Sequence, residues 1–156
     1  MNTKILTIAG LLLGANVALA QNNSSTTTIN GDDNAATQTQ TGSANIVSIL
    51  QGGDRNTATQ TQNGASNVAT IEQVYGANTN AVNQTDDNTA TQSQLGDLNI
   101  ASIDQEERGN NTASQSQDGQ RNDATIVQKN PWNGGTPPAG GNHSQSQDGD
   151  DNTVTA

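Results

Sequence analysis

The chain has no cysteine and no phenylalanine, one tryptophan, one tyrosine and five basic residues. Without thiols there is no disulfide framework and no thiolate metal site. With so few Lys and Arg residues and a net charge of −10, the electrostatic footprint of a nucleic-acid or anionic-membrane binder is missing. Tyr75 and Trp132 stand too far apart to form a base-stacking platform. Leu, Ile and Val make up only about 12% of the chain beyond residue 20, below the roughly 20% under which high net charge signals disorder. An ordinary apolar core is excluded.

The one long apolar run lies at the start. Lys4, then Ile5–Leu13, then Ala18-Leu19-Ala20 give the basic, apolar and small-residue parts of a secretory signal peptide over 1–20. The run is too short to span a bilayer. Its removal takes Lys4 away and leaves a charge of −11. Residues 21–33 (QNNSSTTTINGDD) are polar and non-periodic, which predicts a flexible leader.

From residue 34 to 156 a short period replaces this. The clearest copy is NTATQTQNGASNVATIEQ, Asn56 to Gln73, two seven-residue arms reading Asn-x-Ala-x-(Gln or Ile)-x-Gln. Alternation over seven residues is strand periodicity. Arms begin at Asn34, Asn45, Asn56, Asn67, Asn78, Asn88, Asn99, Asn111, Asn122, Gly141 and Asn152. Gln arms alternate with Ile arms, so the full unit is about 22 residues, one strand–turn–strand. Two places break the pattern. The arm at 78–84 has Asn80 in the Ala slot; it either moves later arms to the opposite face or loops out. Residues 130–140 hold all three prolines and should leave the ladder as a loop, carrying Trp132.

The expected fold is all-β: a β-solenoid of stacked β-arches, in which each arm pairs in parallel with the like arm one coil above. An antiparallel meander is the competitor, but stacking like on like requires the two-arm repeat. The inward face of the Gln arms is then Asn34, Gln38 and Gln40; Asn56, Ala58, Gln60 and Gln62; Asn88, Ala90, Gln92 and Gln94; Asn111, Ala113, Gln115 and Gln117; and Gln145 with Gln147. That of the Ile arms is Asn45, Ile49 and Gln51; Asn67, Ala69, Ile71 and Gln73; Asn99, Ala101, Ile103 and Gln105; and Asn122, Ala124, Ile126 and Gln128. A buried carboxamide is costly alone, but an identical one about 4.8 Å along the stack satisfies it. Gly42, Gly53, Gly64, Gly96, Gly119 and Gly149 mark tight turns. Strand edges at both ends would template another copy, giving cross-β amyloid on polymerisation.

These arms resemble the curlin family of bacterial extracellular amyloid subunits. The likeness is carried by Asn45…Gln51-Gly52-Gly53…Asn56-Thr57-Ala58…Gln62, by Asn67…Gln73 with Asn78…Gln84, and by Asn99…Gln105 with Asn111-Thr112-Ala113…Gln117. It covers Asn34 to Ala156. The resemblance implies secretion through an outer-membrane pore with accessory chaperones, residues 21–33 being the pore-recognition leader. It further implies growth on a nucleator subunit into a homopolymer fibre at the cell surface, a curli-like pilus serving biofilm matrix, adhesion and cell aggregation. The Ile arms are similar to the minor, nucleating subunit, whereas the acidic end DGDDNTVTA lacks that subunit's basic repeat, which favours a major-type subunit. The Gly-poor turns at Val74-Tyr75 and Glu106-Glu107 depart from the family pattern.

Most acids fall in turns or at outward positions such as Glu72 and Asp104, where they keep stacking in check or simply solvate the surface. Asp148-x-Asp150-x-Asn152 has the opening of a calcium loop but not its sixth-position Gly or its Glu. His143, the only histidine, reads as a solvated loop residue without a nucleophile to serve, so no enzyme and no cofactor is expected. A rival of another class rests on Thr37-x-Thr39, Thr57-x-Thr59-x-Thr61, Thr89-x-Thr91 and Thr112-x-Ser114-x-Ser116, outward hydroxyls in rows as on an ice-binding β-solenoid.

Overall fold

The computed structural model describes residues 5–9, 13–19, 22–74, 87–106, 110–129 and 140–156. They form thirteen strands and, among the described residues, no helix. In chain order the strands are β1 (Ile5–Ala9), β2 (Leu13–Leu19), β3 (Ser24–Asn30), β4 (Ala35–Ser43), β5 (Ile46–Gly52), β6 (Thr57–Ala65), β7 (Val68–Val74), β8 (Thr89–Leu95), β9 (Ile100–Glu106), β10 (Thr112–Asp118), β11 (Asp123–Lys129), β12 (Asn142–Asp148) and β13 (Thr153–Thr155). Odd strands make a seven-stranded sheet in the order β1-β3-β5-β7-β9-β11-β13, and even strands a six-stranded sheet, β12-β10-β8-β6-β4-β2. Every pairing is parallel. The chain therefore lays one strand in each sheet alternately, and each strand meets its like one repeat on.

The register is the sequence repeat made spatial. Thr57, Ala58, Gln60 and Gln62 of β6 face Thr89, Ala90, Gln92 and Gln94 of β8. In the other sheet Ala69, Ile71 and Gln73 face Ala101, Ile103 and Gln105. A slip of one residue would turn the whole carboxamide row outward.

Between the sheets lies a thin apolar seam. Ile29, Ile49, Ile71, Ile103 and Ile126 of the odd strands pack with Ala36, Ala58, Ala90 and Ala113 of the even ones. A large side chain opposite a small one lets the layers close without voids. Ala and Ile alone supply little area, so the rest of the interior must be polar and still satisfied.

Where the repeat is broken, the ladder is not. The segments 75–86 and 130–139 lie outside the described residues, and with them the 78–84 arm, Tyr75, Trp132 and the prolines; the Glu106-Glu107 turn runs into 107–109, also outside. Yet β8 pairs directly with β6, and β9 with β7, across the first break. The later arms thus keep their faces, and no strand is interposed. The same holds across the second break, where Gln145 faces Gln115.

Two expectations need correction. The segment 21–33 is not a flexible leader throughout: Ser24–Asn30 is β3, paired in full with β5. Its alternation places Thr27 and Ile29 inside, and Ile29 supplies the apolar contact that the Asn–Gln pattern does not predict. His143 is not in a loop either. It occupies the second position of β12, opposite Ala113, and is exposed there. Residues within 1–20 form β1 and β2, which pair with β3 and β4.

Each corner that is described in full combines two left-handed residues. Gly53 has φ 96° and Arg55 φ 57°; Gly64 has φ 134° and Ser66 φ 58°. The second position costs a non-glycine residue about 1–2 kcal/mol, and rung-to-rung backbone bonds hold it, as Ser66 N to Ser43 O at 2.9 Å. At Gly64 a Cβ would also stand 1.9 Å from the Gly96 carbonyl oxygen in the next rung. Gly52, without positive φ, would meet nothing nearer than 3.8 Å. Gly64→Ala should therefore cost on the order of 1–3 kcal/mol in denaturant unfolding, with Gly52→Ala near neutral. Equal losses at the two sites would mean the corner is not the constraint.

Candidate functional site

The unusual chemistry of this chain is its interior. Every position expected to face inward is at most 8% exposed. Three glutamine columns run up the stack. Two belong to the even sheet, Gln38-Gln60-Gln92-Gln115-Gln145 and Gln40-Gln62-Gln94-Gln117-Gln147. The third is Gln51-Gln73-Gln105-Gln128 in the odd sheet.

Within a column each Nε2 donates to the Oε1 of the next higher rung. The distances are 2.9 Å for Gln60 to Gln92, 2.9 Å for Gln92 to Gln115 and 2.8 Å for Gln117 to Gln147. The second hydrogen of the same Nε2 crosses to the facing sheet. Gln60 donates to the Ser48 carbonyl at 3.0 Å, Gln92 to Thr70 at 2.9 Å and Gln105 to Thr89 at 3.2 Å. One carboxamide thus ties its rung both to the next rung and to the opposite sheet. Side chains of a polar residue do what an apolar core does elsewhere.

Asparagine keeps the expected amide-to-amide column only in part, Asn67 Nδ2 donating to Asn45 Oδ1 at 3.2 Å and Asn152 Nδ2 to Asn122 Oδ1 at 3.0 Å. Its shorter side chain sits at the corner and otherwise bonds to the backbone. Asn56 Oδ1 accepts the Asn88 N–H at 3.1 Å, and Asn67 Oδ1 accepts the Asn99 N–H at 2.9 Å. The Nδ2 atoms donate to turn carbonyls of the neighbouring rung, Asn67 to Gly96 at 2.7 Å and Asn122 to Gly149 at 2.7 Å. Asn is therefore a corner brace, and Gln is the rung tie.

Two buried amide atoms lack a partner, and position explains the first. Gln51 Oε1 is unpartnered because Ile29 occupies the slot below, where the column would otherwise continue. Asn88 Nδ2 lacks one among the described residues, and the neighbouring segments 75–86 and 107–109 lie outside them. The repeat pattern also missed Val47 and Ala36, both buried. Val47 fills an Ala slot, and Ala36 follows another alanine, so neither carries the contrast that marks a face.

Outside, the charges stack too. Arg55 holds Asp87 through two bonds of 2.9 and 3.0 Å, and Arg121 holds Asp151 at 2.6 and 2.9 Å. The guanidinium in each case keeps the carboxyl below its ordinary range. On the odd sheet, Glu72 and Asp104 are neighbours in one column, and Lys129 reaches Glu106 at 2.9 Å and Asp104 at 3.8 Å. Partial burial, then Glu106, push Asp104 above the usual carboxylate range; Lys129 opposes this and Glu72 adds to it.

No family model, curated protein or solved structure matches this chain.

Two predictions follow from this geometry. Gln105→Leu removes the acceptor of Gln73 and the donors to Gln128 and the Thr89 carbonyl. Orphaning those groups should cost about 2–4 kcal/mol in equilibrium unfolding, against less than about 0.5 kcal/mol for outward Thr59→Ala. Comparable losses would contradict the assigned faces. For pH the sign differs between groups. Asp104, raised, binds its proton more tightly when folded, so its contribution is full at low pH and is lost as pH rises through its folded value. Asp87 and Asp151, lowered, contribute above the ordinary carboxylate range and lose it in acid. These contributions together should peak within the ordinary carboxylate range and fall as pH rises through the raised value of Asp104, as read by melting temperature against pH. Asp104→Asn should flatten that decline.

Proposed function

We propose that this protein is a secreted structural subunit that stacks end to end into an extracellular, curli-like amyloid fibre. Its fold is a β-solenoid of about 22 residues per coil, and the fibre is cross-β. One observation carries the reading: like carboxamides lie on like, and every bond in the columns points the same way. The high-numbered end offers the Nε2 groups of Gln145 and Gln147, which already reach the Thr125 and Asp123 carbonyls but have no carboxamide above them. The low-numbered end of the same columns presents the Oε1 of Gln40 and that of Gln38, which already accepts from the Ser25 and Thr27 hydroxyls and would exchange them for an incoming carboxamide. A donor end and an acceptor end of one shape make a head-to-tail polymer, the non-closing association that yields filaments.

Export supplies the rest of the reading. If 1–20 is a signal peptide, its removal takes away β1 and β2 and uncovers β3 and β4 as the receiving edge. Partners are other copies of the chain, a nucleating subunit and an outer-membrane pore with its chaperones. The fibre serves biofilm matrix and adhesion, and no catalysis is assigned. A second reading, ice binding, is favoured by the in-register Thr and Ser columns of the even sheet.

The test uses residues 21–156, purified unfolded and diluted to buffer. Sedimentable, dye-binding filaments with reflections near 4.7 and 10 Å are expected. A monomer that persists for days and shapes ice crystals would overturn the fibre reading in favour of the second.

A further inference from the structure

The two outer faces are chemically unlike. On the odd sheet the outward columns mix aliphatic and charged residues: Ile46, Val68, Ile100 and Asp123 in one, Leu50, Glu72, Asp104 and Val127 in another. On the even sheet the central column is Thr37, Thr59, Thr91, Ser114 and Ser144. Its flanking columns are Thr and Ser as well, apart from Ala35 and Asn142 at the two ends. All are exposed or half-buried, and none is charged. The nearest charges lie beyond it at the strand ends, Asp118 and Asp148 at one and Asp33 with the Arg55–Asp87 pair at the other.

We propose that this hydroxyl face is where two filaments pair side by side, the occupant being the same face of a second copy. The inference rests on the fibre reading. Three arguments select the occupant. Copies of residues 21–156, carrying a charge of −11, repel one another, so contact is favoured where charge is absent, and the face of the even sheet is that place. A hydroxyl both donates and accepts, so the face complements itself without a second chemistry. Thr and Ser are short, so little rotamer freedom is lost when two such layers interdigitate into a dry zipper.

Geometry also fixes the arrangement. A two-fold axis along the filament makes facing strands antiparallel. The Asp118 and Asp148 ends then lie over the Thr112 and Asn142 ends of the other filament, about 20 Å away at the strand rise. That is more than two Debye lengths at physiological salt, about 8 Å each. The alternative axis, along the strands, would bring the aspartates together. Paired filaments should therefore run in the same direction.

Area sets the order of events. Five rungs about 4.8 Å apart and five residues along each strand give a footprint of roughly 400 Å² per copy, about half of the 800 Å² that a stable interface buries on each partner. Single copies should not dimerise through it. A filament repeats the footprint in every subunit, so pairing becomes stable only after stacking.

The test compares Thr59→Glu with Ser114→Glu, two rungs apart on the hydroxyl face, against Ser48→Glu with Ser102→Glu on the other sheet. Growth is followed by dye binding and sedimentation, and lateral association by electron microscopy. The unsubstituted chain should give paired filaments. The T59E/S114E chain should elongate within about threefold of that rate but show at least tenfold fewer pairs, while S48E/S102E still pairs. Pairing unchanged in T59E/S114E, or lost equally in both variants, would overturn the inference while leaving the fibre reading intact. Unpaired filaments of the unsubstituted chain that bind ice or a polysaccharide through this face would also overturn it. Absence of any filament would instead fail the fibre reading, and this inference with it.

Discussion

A glutamine side chain has two N–H groups and one carbonyl, and this structure uses all three in different directions. One N–H goes up the column, the other across to the facing sheet, and the carbonyl is met from below. A buried amide left alone costs several kcal/mol, so the arrangement is stable only when the column is continuous. That requirement dictates the rest. Strands must be parallel, like must lie on like, and the repeat must hold one residue type per level. It also explains how a chain with so few aliphatic residues orders at all: Ile and Ala fill the seam that the carboxamides leave.

Corners and charges follow from the same repeat. Because each rung is copied by the next, a glycine at one level stands over a glycine at the next, as Gly64 over Gly96, and no Cβ fits between them. Asn braces that corner through backbone groups, which is why it opens every arm except the one at Gly141. Acids repeated at 4.8 Å would repel without relief. The stack instead alternates sign at two exposed corners, Arg55 with Asp87 and Arg121 with Asp151, and tolerates adjacent acids at Glu72 and Asp104, where Lys129 is in reach, and at Asp118 and Asp148, where both are exposed to solvent.

Much of this was legible in the residues themselves. Strict alternation assigned faces from Asn34 to Gln147, and the two-arm period gave parallel pairing in two sheets. What escaped did so for physical reasons. Ser24–Asn30 has no Asn–Gln signature, so only its alternation of Thr27 and Ile29 betrays a strand, and that is too short to read against a polar background. The parity of arms beyond residue 78 depends on whether a segment pairs, which sequence spacing does not decide. The role of asparagine is only partly legible: Asn67 and Asn152 do reach Asn45 and Asn122, but one methylene fewer than glutamine brings the corner backbone within reach as well, and most asparagine bonds go there.

The most direct measurement is solid-state NMR on assembled protein with glutamine labelled in its side-chain carbon and nitrogen. The account predicts transfer across hydrogen bonds from the Nε2 of Gln60 to the Cδ of Gln92, and from Gln92 to Gln115, with side-chain amide protons protected from exchange. Glutamine amides that exchange freely with solvent and show no such correlation would contradict it.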